Sequence, residues 1–376
     1  MTAKKTLILT PFLTISGGVA NYYRVMKEKF RFDYDYHYVG DRQNASASTL
    51  TGFVKRAAQD YVGFIKRLIV DDYRLVMISP SLNLKGFLRD YMFFLIAKTL
   101  GYKVIIFFRG WDKKCEDIVF YRWSRIFFLP LRKSSAIIVL ADNFRQAVKA
   151  LAPNVPVYVE TTVFDEALLN GISTDHMAQR LSQRKKLSAL FLSRIEENKG
   201  VFQAIEAFSI LKQRGVDIEL SIAGSGSVVE QVKAQVEQVN NPDLRFLGLV
   251  QGEQKRDLLL STDIMLFPSD HGEGMPNTIM EAMGSGMAVI TTLMGGLKDF
   301  FIEGEMGQVL VKNTANELAE KIIRFEDRQY LEHVARNNHV YAAQYFYGDV
   351  VAKRIKKILD SVARETAVSS TWFPEH

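Results

Sequence analysis

The stretch Glu273-Gly274-Met275-Pro276-Asn277-Thr278-Ile279-Met280-Glu281-Ala282-Met283-Gly284-Ser285-Gly286 decides how the rest of the chain is read. It lies between two short apolar runs, Ile264–Phe267 and Ala288–Thr291, that read as buried strands. Gly274 and Pro276 break its first part into a loop, and a helix opens near Asn277. Two carboxylates, Glu273 in the loop and Glu281 in the first turn of the helix, have seven residues between them. A carboxylate at a helix start is favoured by the dipole and can accept two ribose hydroxyls, while the N–H groups of Thr278 and Ile279 can meet a phosphate. Glu273 then reaches a sugar attached to that phosphate.

The same alternation of apolar runs and amphipathic stretches extends outward in both directions. Before residue 160 the runs are Thr6–Leu9, Tyr34–Val39, Leu75–Ser79, Val104–Phe108, Ala136–Leu140 and Val157–Val159. After residue 187 they are Ser188–Leu192, Asp217–Ile222, Leu244–Phe246, Ile264–Phe267 and Ala288–Thr291. This predicts an α/β protein of two doubly wound, Rossmann-like domains. The expected division is a first domain over 1–165, a linker over 166–187, a second domain over 188–346, and a closing helix and tail over 347–376. A length of 376 residues suits two cores better than one.

Composition narrows the class. With 48% hydrophobic and 24% charged residues the chain is globular. Its single cysteine, Cys115, allows neither an internal disulfide nor a cysteine metal cage and fits a reducing compartment. The most apolar stretch, Tyr91–Phe108, is interrupted by Lys98, Gly101 and Lys103 and falls short of a membrane span; the opening residues reach Pro11 too soon for a signal peptide. The net charge of +6 hides an asymmetry: residues 1–187 hold 29 Lys+Arg against 16 Asp+Glu, and residues 188–376 hold 19 against 26. A basic first half suits an anionic partner such as a membrane surface or an acidic glycan, or is plain solvated surface.

In open α/β sheets ligands sit beyond the carboxyl ends of the strands. Gly17 and Gly18 lie there after the first strand, where the backbone can approach a phosphate or sugar. Arg194 and Lys199 bracket a turn after Ser188–Leu192 and can clamp a diphosphate, the arginine as a fork and the lysine as a point charge. Gly224-Ser225-Gly226 holds two glycines of a dinucleotide fingerprint, with Val229 where the third would be. Gly295-Gly296 marks a further close approach. Taken singly, each is also an ordinary turn or a solvated loop.

Together these residues resemble the retaining, nucleotide-sugar-dependent glycosyltransferases of the GT-B fold, in particular glycosyltransferase family four (glycosyl transferases group 1). The Glu-x7-Glu motif matches at Glu273 and Glu281, the diphosphate pair at Arg194 and Lys199, and the first-loop glycines at Gly17 and Gly18. Phe246-Leu247-Gly248-Leu249-Val250 looks like the base-binding loop, and the helix after Gly348 like the one that crosses back to the first of two facing domains. The resemblance implies that Arg194, Lys199 and Glu273 act in catalysis. It implies a donor site made by Gly17, Gly18, Gly224, Leu249, Gly274, Met275, Pro276, Asn277, Thr278, Ile279 and Glu281. Many relatives carry a histidine where this chain has Arg109, in Phe108-Arg109-Gly110-Trp111-Asp112. An arginine stays protonated and is no general base; it suits an anionic acceptor or the departing phosphate.

The expected reaction moves a sugar from a nucleoside-diphosphate sugar to a hydroxyl of a glycan or lipid-linked acceptor, in cell-envelope glycan, polysaccharide or glycolipid biosynthesis. A sugar-nucleotide epimerase of the same fold and a non-catalytic nucleotide-sugar binding protein are the alternatives. No cofactor and no metal are expected, because two cations and a helix start can neutralise the leaving group. The one D-x-D, Asp33-Tyr34-Asp35, falls in an early strand, and the six histidines lack ligand spacing. No nucleic-acid motif is present. The expected location is cytoplasmic, with peripheral contact at the inner face of an anionic membrane as a secondary partner. Lys85–Lys133, with Phe93, Phe94, Phe107, Phe108, Trp111, Trp123, Phe127 and Phe128, reads first as domain core and second as a bilayer-interface patch around Phe120–Phe128.

Overall fold

The computed structural model describes residues 5–15, 17–40, 50–82, 84–111, 116, 124–164, 166–169, 177, 186–270, 274–366 and 368–373. The chain divides into two compact units. The first comprises Met1–Val163, Gly272–Met275 and Gly348–His376, and the second Phe164–His271 and Pro276–Tyr347.

The first unit runs β1 (Lys5–Thr10), α1 (Gly18–Met26), β2 (Tyr34–Tyr38), α2 (Leu50–Val70), β3 (Tyr73–Ile78), β4 (Ser81–Leu82), α3 (Leu84–Thr99), β5 (Val104–Phe107), β6 (Gly110–Trp111), α4 (Ser124–Lys133), β7 (Ala136–Val139), α5 (Asp142–Leu151) and β8 (Val157–Val159). Its sheet has the order β2-β1-β3-β5-β7-β8, and every pairing is parallel. Central strands such as Val104-Ile105-Ile106-Phe107 are buried throughout, as a sheet covered on both faces requires. Phe93, Phe94, Phe107, Phe108 and Trp111 are all buried, which bears out the core reading of these aromatics. Phe120–Trp123 lie outside the described residues, as does Cys115. Asp35 of the D-x-D accepts a hydrogen bond from the Tyr73 hydroxyl at 3.0 Å and lies 3.4 Å from Lys5 Nζ.

The second unit contains β9 (Leu187–Leu192), α6 (Val201–Gln213), β10 (Ile218–Ala223), α7 (Val229–Val239), β11 (Leu244–Gly248), α8 (Gly252–Ser261), β12 (Ile264–Phe267), α9 (Asn277–Gly284), β13 (Ala288–Thr292), β14 (Gly307–Leu310), α10 (Ala315–Ile323) and α11 (Arg328–Tyr345). These strands form a second parallel sheet in the order β11-β10-β9-β12-β13-β14. Phe191, Phe208, Ile222, Leu266, Ile290, Leu318 and Phe325 belong to its core. Asp263 ties β9 to β12: its Oδ2 accepts from Ser188 N at 3.1 Å and Ser188 Oγ at 2.8 Å, while its own N–H donates to Ser188 Oγ at 3.0 Å. Phe164, Leu169 and Met177 pack here as well. A Cβ at Gly284 would meet Phe164 Cζ at 2.6 Å and Leu169 Cδ1 at 2.8 Å, and one at Gly286, whose φ is +70°, would meet Met177 Sδ at 2.0 Å. Gly284 and Gly286 are thus glycines because another stretch of chain lies against them.

The closing helix α12 (Gly348–Arg364) belongs to the first unit. Its Arg354 Nε donates to both oxygens of the buried Glu160 carboxylate at 3.1 Å, and its Asp360 accepts from Arg74 Nη1 at 2.9 Å. Burial pushes the Glu160 carboxyl up, and Arg354 pulls it back. Beyond the helix, the Ser370 carbonyl accepts from Val159 N at 2.7 Å along the edge strand β8, and Trp372 is buried with Arg354 over its ring.

Candidate functional site

In the first unit the turn after β1 leads into α1 through Gly17, which has φ +148° and caps the helix without any side-chain hydrogen bond. A Cβ at Gly17 or Gly18 would have nothing within 4 Å, so the space over both glycines is open. Arg24 fixes the turn from behind, Nε and Nη2 donating to the Leu13 carbonyl at 2.9 and 2.6 Å. Arg109, just after β5, lays its guanidinium 3.8 Å from the Tyr22 ring centroid and donates through Nη2 to Thr162 Oγ1 at 2.9 Å. Its Nε and Nη1 are out of solvent and make no hydrogen bond, and burial pushes the guanidinium pKa down. Gly274 and Met275 lie close by in the same unit. Thr161 Oγ1 is 2.8 Å from Met275 Sδ, and a Cβ on Gly274 would meet Leu140 Cδ1 at 3.1 Å.

In the second unit the loops beyond the carboxyl ends of the strands are joined into a continuous rim. The β9 loop meets the β10 loop through Ile195 N to the Ser225 carbonyl at 3.0 Å, and Gly224 N reaches the Gly248 carbonyl beside β11 at 2.7 Å. A Cβ at Gly224 would fall 1.9 Å from the Ser193 carbonyl, and one at Gly226 2.2 Å from that of Ile195. The demand for glycine at 224 and 226 is therefore met by the neighbouring backbone. The β9 loop also meets the chain after β12, where Asp270 N donates to the Asn198 carbonyl at 3.0 Å.

The two expected cations differ. Lys199 ends a 3-10 turn over Glu197–Lys199 and is 1% exposed, whereas the Arg194 side chain is 61% exposed and paired with Glu196 at 2.7 Å. Gly200 follows in the left-handed region, φ +78°, with the Pro268 carbonyl 2.1 Å from where a Cβ would stand.

At α9 two expectations need correction. Pro276 is the cap residue, so the helix begins at Asn277 and Glu281 lies in the second turn; the first turn holds no acid. The Ile279 N–H donates to the Pro276 carbonyl at 3.1 Å, which engages one of the two N–H groups expected to meet a phosphate. No side chain caps this helix start. Glu281, 2% exposed, is held by Lys255 Nζ from α8 at 2.7 Å. Lys255 is a component that no sequence motif marked; only the fold brings α8 against α9. Leu249 is 60% exposed beside Gly248, whose φ is +69°. Glu273 lies outside the described residues. Among the described residues no group of three or more His, Cys, Asp or Glu side chains could hold a metal ion.

A cavity of about 890 Å³ opens at the opposite, amino end of the first unit's sheet, lined by Lys103, Arg145, Tyr158 and Glu365 among others. Its cations are engaged: Lys103 Nζ donates to the Val362 and Ala363 carbonyls and to Glu365, and Arg145 pairs with Asp142 and Ser370.

Two parallel six-stranded sheets with this rim define a protein of the GT-B fold, two Rossmann-like halves. Residues 173–344, nearly all of the second unit, match the family model described as glycosyl transferases group 1, so the second unit carries the group 1 signature. Among curated relatives, the putative colanic acid biosynthesis glycosyltransferase WcaL of Salmonella typhimurium is 28% identical over 47% of this chain and 45% of its own. The phosphatidyl-myo-inositol mannosyltransferase of Mycobacterium tuberculosis is 29% identical over 52% of this chain and 53% of its own. The chain thus spans about half the length of the curated relatives it matches. Among solved structures, sucrose-phosphate synthase from Thermosynechococcus elongatus superposes with a TM-score of 0.77 at 14% identity, covering 97% of this chain and 100% of that one. Anabaena HepE in complex with UDP-glucose gives 0.70 at 17%, covering 96% and 100%. At these identities the likeness is one of fold.

Proposed function

We propose that the protein is a retaining glycosyltransferase that moves a sugar from a nucleoside-diphosphate sugar to an acceptor hydroxyl in envelope polysaccharide or glycolipid synthesis. The observation that carries this reading is the rim of the second unit, where buried Lys199, the Glu281–Lys255 pair and the start of α9, which no side chain caps, all lie beyond the carboxyl ends of the strands. Such a rim suits a ribose and a diphosphate. The bond from the anomeric carbon to the diphosphate breaks and its electron pair leaves with the nucleoside diphosphate, whose charge Lys199 and Arg194 offset. The acceptor oxygen bonds the same face of that carbon, and its proton passes to the leaving phosphate oxygen. Glu273 contacts the sugar, and Arg109 faces the acceptor side.

The relatives named for colanic acid and phosphatidyl-myo-inositol support an envelope acceptor. Turnover of UDP-, GDP- and ADP-sugars with and without glycan or polyprenyl-phosphate-linked acceptors tests the reading. A new glycosidic bond is expected; conversion of the donor to another sugar nucleotide without acceptor would make the protein an epimerase. Activity is expected to persist in excess chelator, and loss reversed by a divalent ion would refute metal independence.

A cytoplasmic protein resting on an anionic membrane fits the surface of the first unit. Val62, Ile69 and Val70 on α2, Leu88 and Met92 on α3, and Leu129 on α4 are exposed, with Lys66 and Lys133 among them. Lys98 is pushed down by burial and by Lys133 beside it, a local concentration of positive charge. No described helix is long and apolar enough to cross a membrane. Flotation with anionic but not neutral vesicles is the expected result, and flotation with neither would remove this partner.

A further inference from the structure

We propose that Asn313 is a positioning residue for sugar transfer, holding the chain after β12 against the turn that carries Lys199. The inference rests on the diphosphate-clamp reading of Lys199 and adds the device that keeps it in place. It begins at a capping box, Thr314-Ala315-Asn316-Glu317, at the start of α10. Thr314 Oγ1 accepts from Glu317 N at 3.2 Å. The Glu317 carboxylate reaches back past the cap and accepts the N–H groups of Val311, Lys312 and Asn313 at 2.8, 2.8 and 2.9 Å. That nest sets Asn313 in the left-handed region at φ +50°, which asparagine tolerates better than most residues.

So oriented, the buried amide donates twice through Nδ2, to the Pro268 carbonyl at 2.9 Å and to Asp270 Oδ1 at 2.8 Å. Pro268 and Asp270 are the residues that meet the Lys199 turn. The Pro268 carbonyl stands against Gly200, and Asp270 N donates to the Asn198 carbonyl at 3.0 Å. Thr292 Oγ1 holds the intervening Ser269 carbonyl at 2.6 Å from the β13 side. Asn313 is buried, and both acceptors of its amide are neighbours of the residues flanking Lys199. Misplacing a charge-stabilising group by about 1 Å costs up to about a hundredfold in rate, so the amide acts on turnover and not on donor binding.

Asn313→Gly separates the amide from the backbone, because glycine keeps the left-handed conformation at no steric cost. The probe is whichever of the UDP-, GDP- or ADP-sugars the enzyme turns over, and the readout is nucleoside diphosphate released per folded enzyme. The expected result is a fall in kcat of about tenfold to a hundredfold with donor KM changed less than about threefold, in a protein that still unfolds cooperatively. In a Lys199→Ala background the same change is expected to cost little more, since the group it positions is gone. A wild-type kcat in Asn313→Gly, or full additivity with Lys199→Ala, overturns the inference while leaving the clamp standing. A wild-type kcat in Lys199→Ala overturns the clamp and this inference with it.

Discussion

Replacing Arg354 by methionine isolates the charge at the most buried ion pair linking α12 to the first unit. Methionine keeps a long apolar stem against Trp372, so lost packing is small and the loss falls on Glu160, 3% exposed and suddenly unpaired. Removing one partner of a buried pair costs about 3–5 kcal/mol. The pH dependence has a definite sign. Unfolded, Glu160 titrates near pH ~4.3; folded, burial already raises it, and loss of Arg354 raises it further. Between the two values the folded state holds a proton that the unfolded state has released, so stability falls as pH rises through that window. The deficit of Arg354→Met is therefore flat until the wild-type carboxyl, already raised, ionises, then grows by about 1.4 kcal/mol per pH unit until the variant's carboxyl ionises as well. Urea unfolding followed by tryptophan fluorescence is the assay, because all three tryptophans, Trp111, Trp123 and Trp372, belong to the first unit. The double variant Glu160→Gln/Arg354→Met should recover most of the loss at pH 8. A double variant as unstable as Arg354→Met alone, or a deficit independent of pH, would refute the reasoning.

Glu281→Gln should weaken donor binding by about 1.5–3 kcal/mol, the range for a hydrogen bond to a charged group, read as a rise of donor KM with kcat little changed. Glu317→Gln should cost about 1–2 kcal/mol at neutral pH, the scale of a lost helix cap. Burial alone would raise the Glu317 carboxyl, but the three backbone N–H groups outweigh it and hold it below its ordinary value. That stability is present above the unfolded pKa and lost as pH falls through the folded one, so wild type and variant should converge in acid denaturation. Gly286→Ala, forced into φ +70° against Met177, should lower the melting temperature of the second unit by several degrees.

The strands were legible because parallel strands buried on both faces must be runs of Val, Ile, Leu and Phe. The exceptions are the two-residue β4 and β6, too short to carry a pattern, and β14, Gly307-Gln308-Val309-Leu310, a short edge strand whose buried Gln308 donates through Nε2 to the Tyr330 hydroxyl at 2.6 Å; a polar residue in a four-residue run leaves no apolar signature. At the candidate site the loops were legible from their glycines, but the reasons for those glycines were not. Gly224 and Gly226 answer to the backbone of Ser193 and Ile195, and Gly284 and Gly286 to Phe164, Leu169 and Met177, stretches far away in sequence. Glu281 was visible as a residue and misplaced by a turn: the helix does open at Asn277, as read from the sequence, but a residue four positions further on already stands in its second turn. Lys255 and Asn313 carry no motif at all. Each gains its role from a partner 26 or 43 to 45 positions away.

The ion pairs of α12 and the Ser370 bond to β8 also set an order of assembly. During synthesis the whole of the second unit emerges before residues 348–373, so the first sheet waits with β8 uncovered and Glu160 unpaired while its neighbour along the chain folds. A nascent or prematurely terminated chain ending before Gly348 therefore presents a complete second unit beside a first unit with a bare strand edge. Defects at the far end of the polypeptide should accordingly surface as aggregation through the half that was made first.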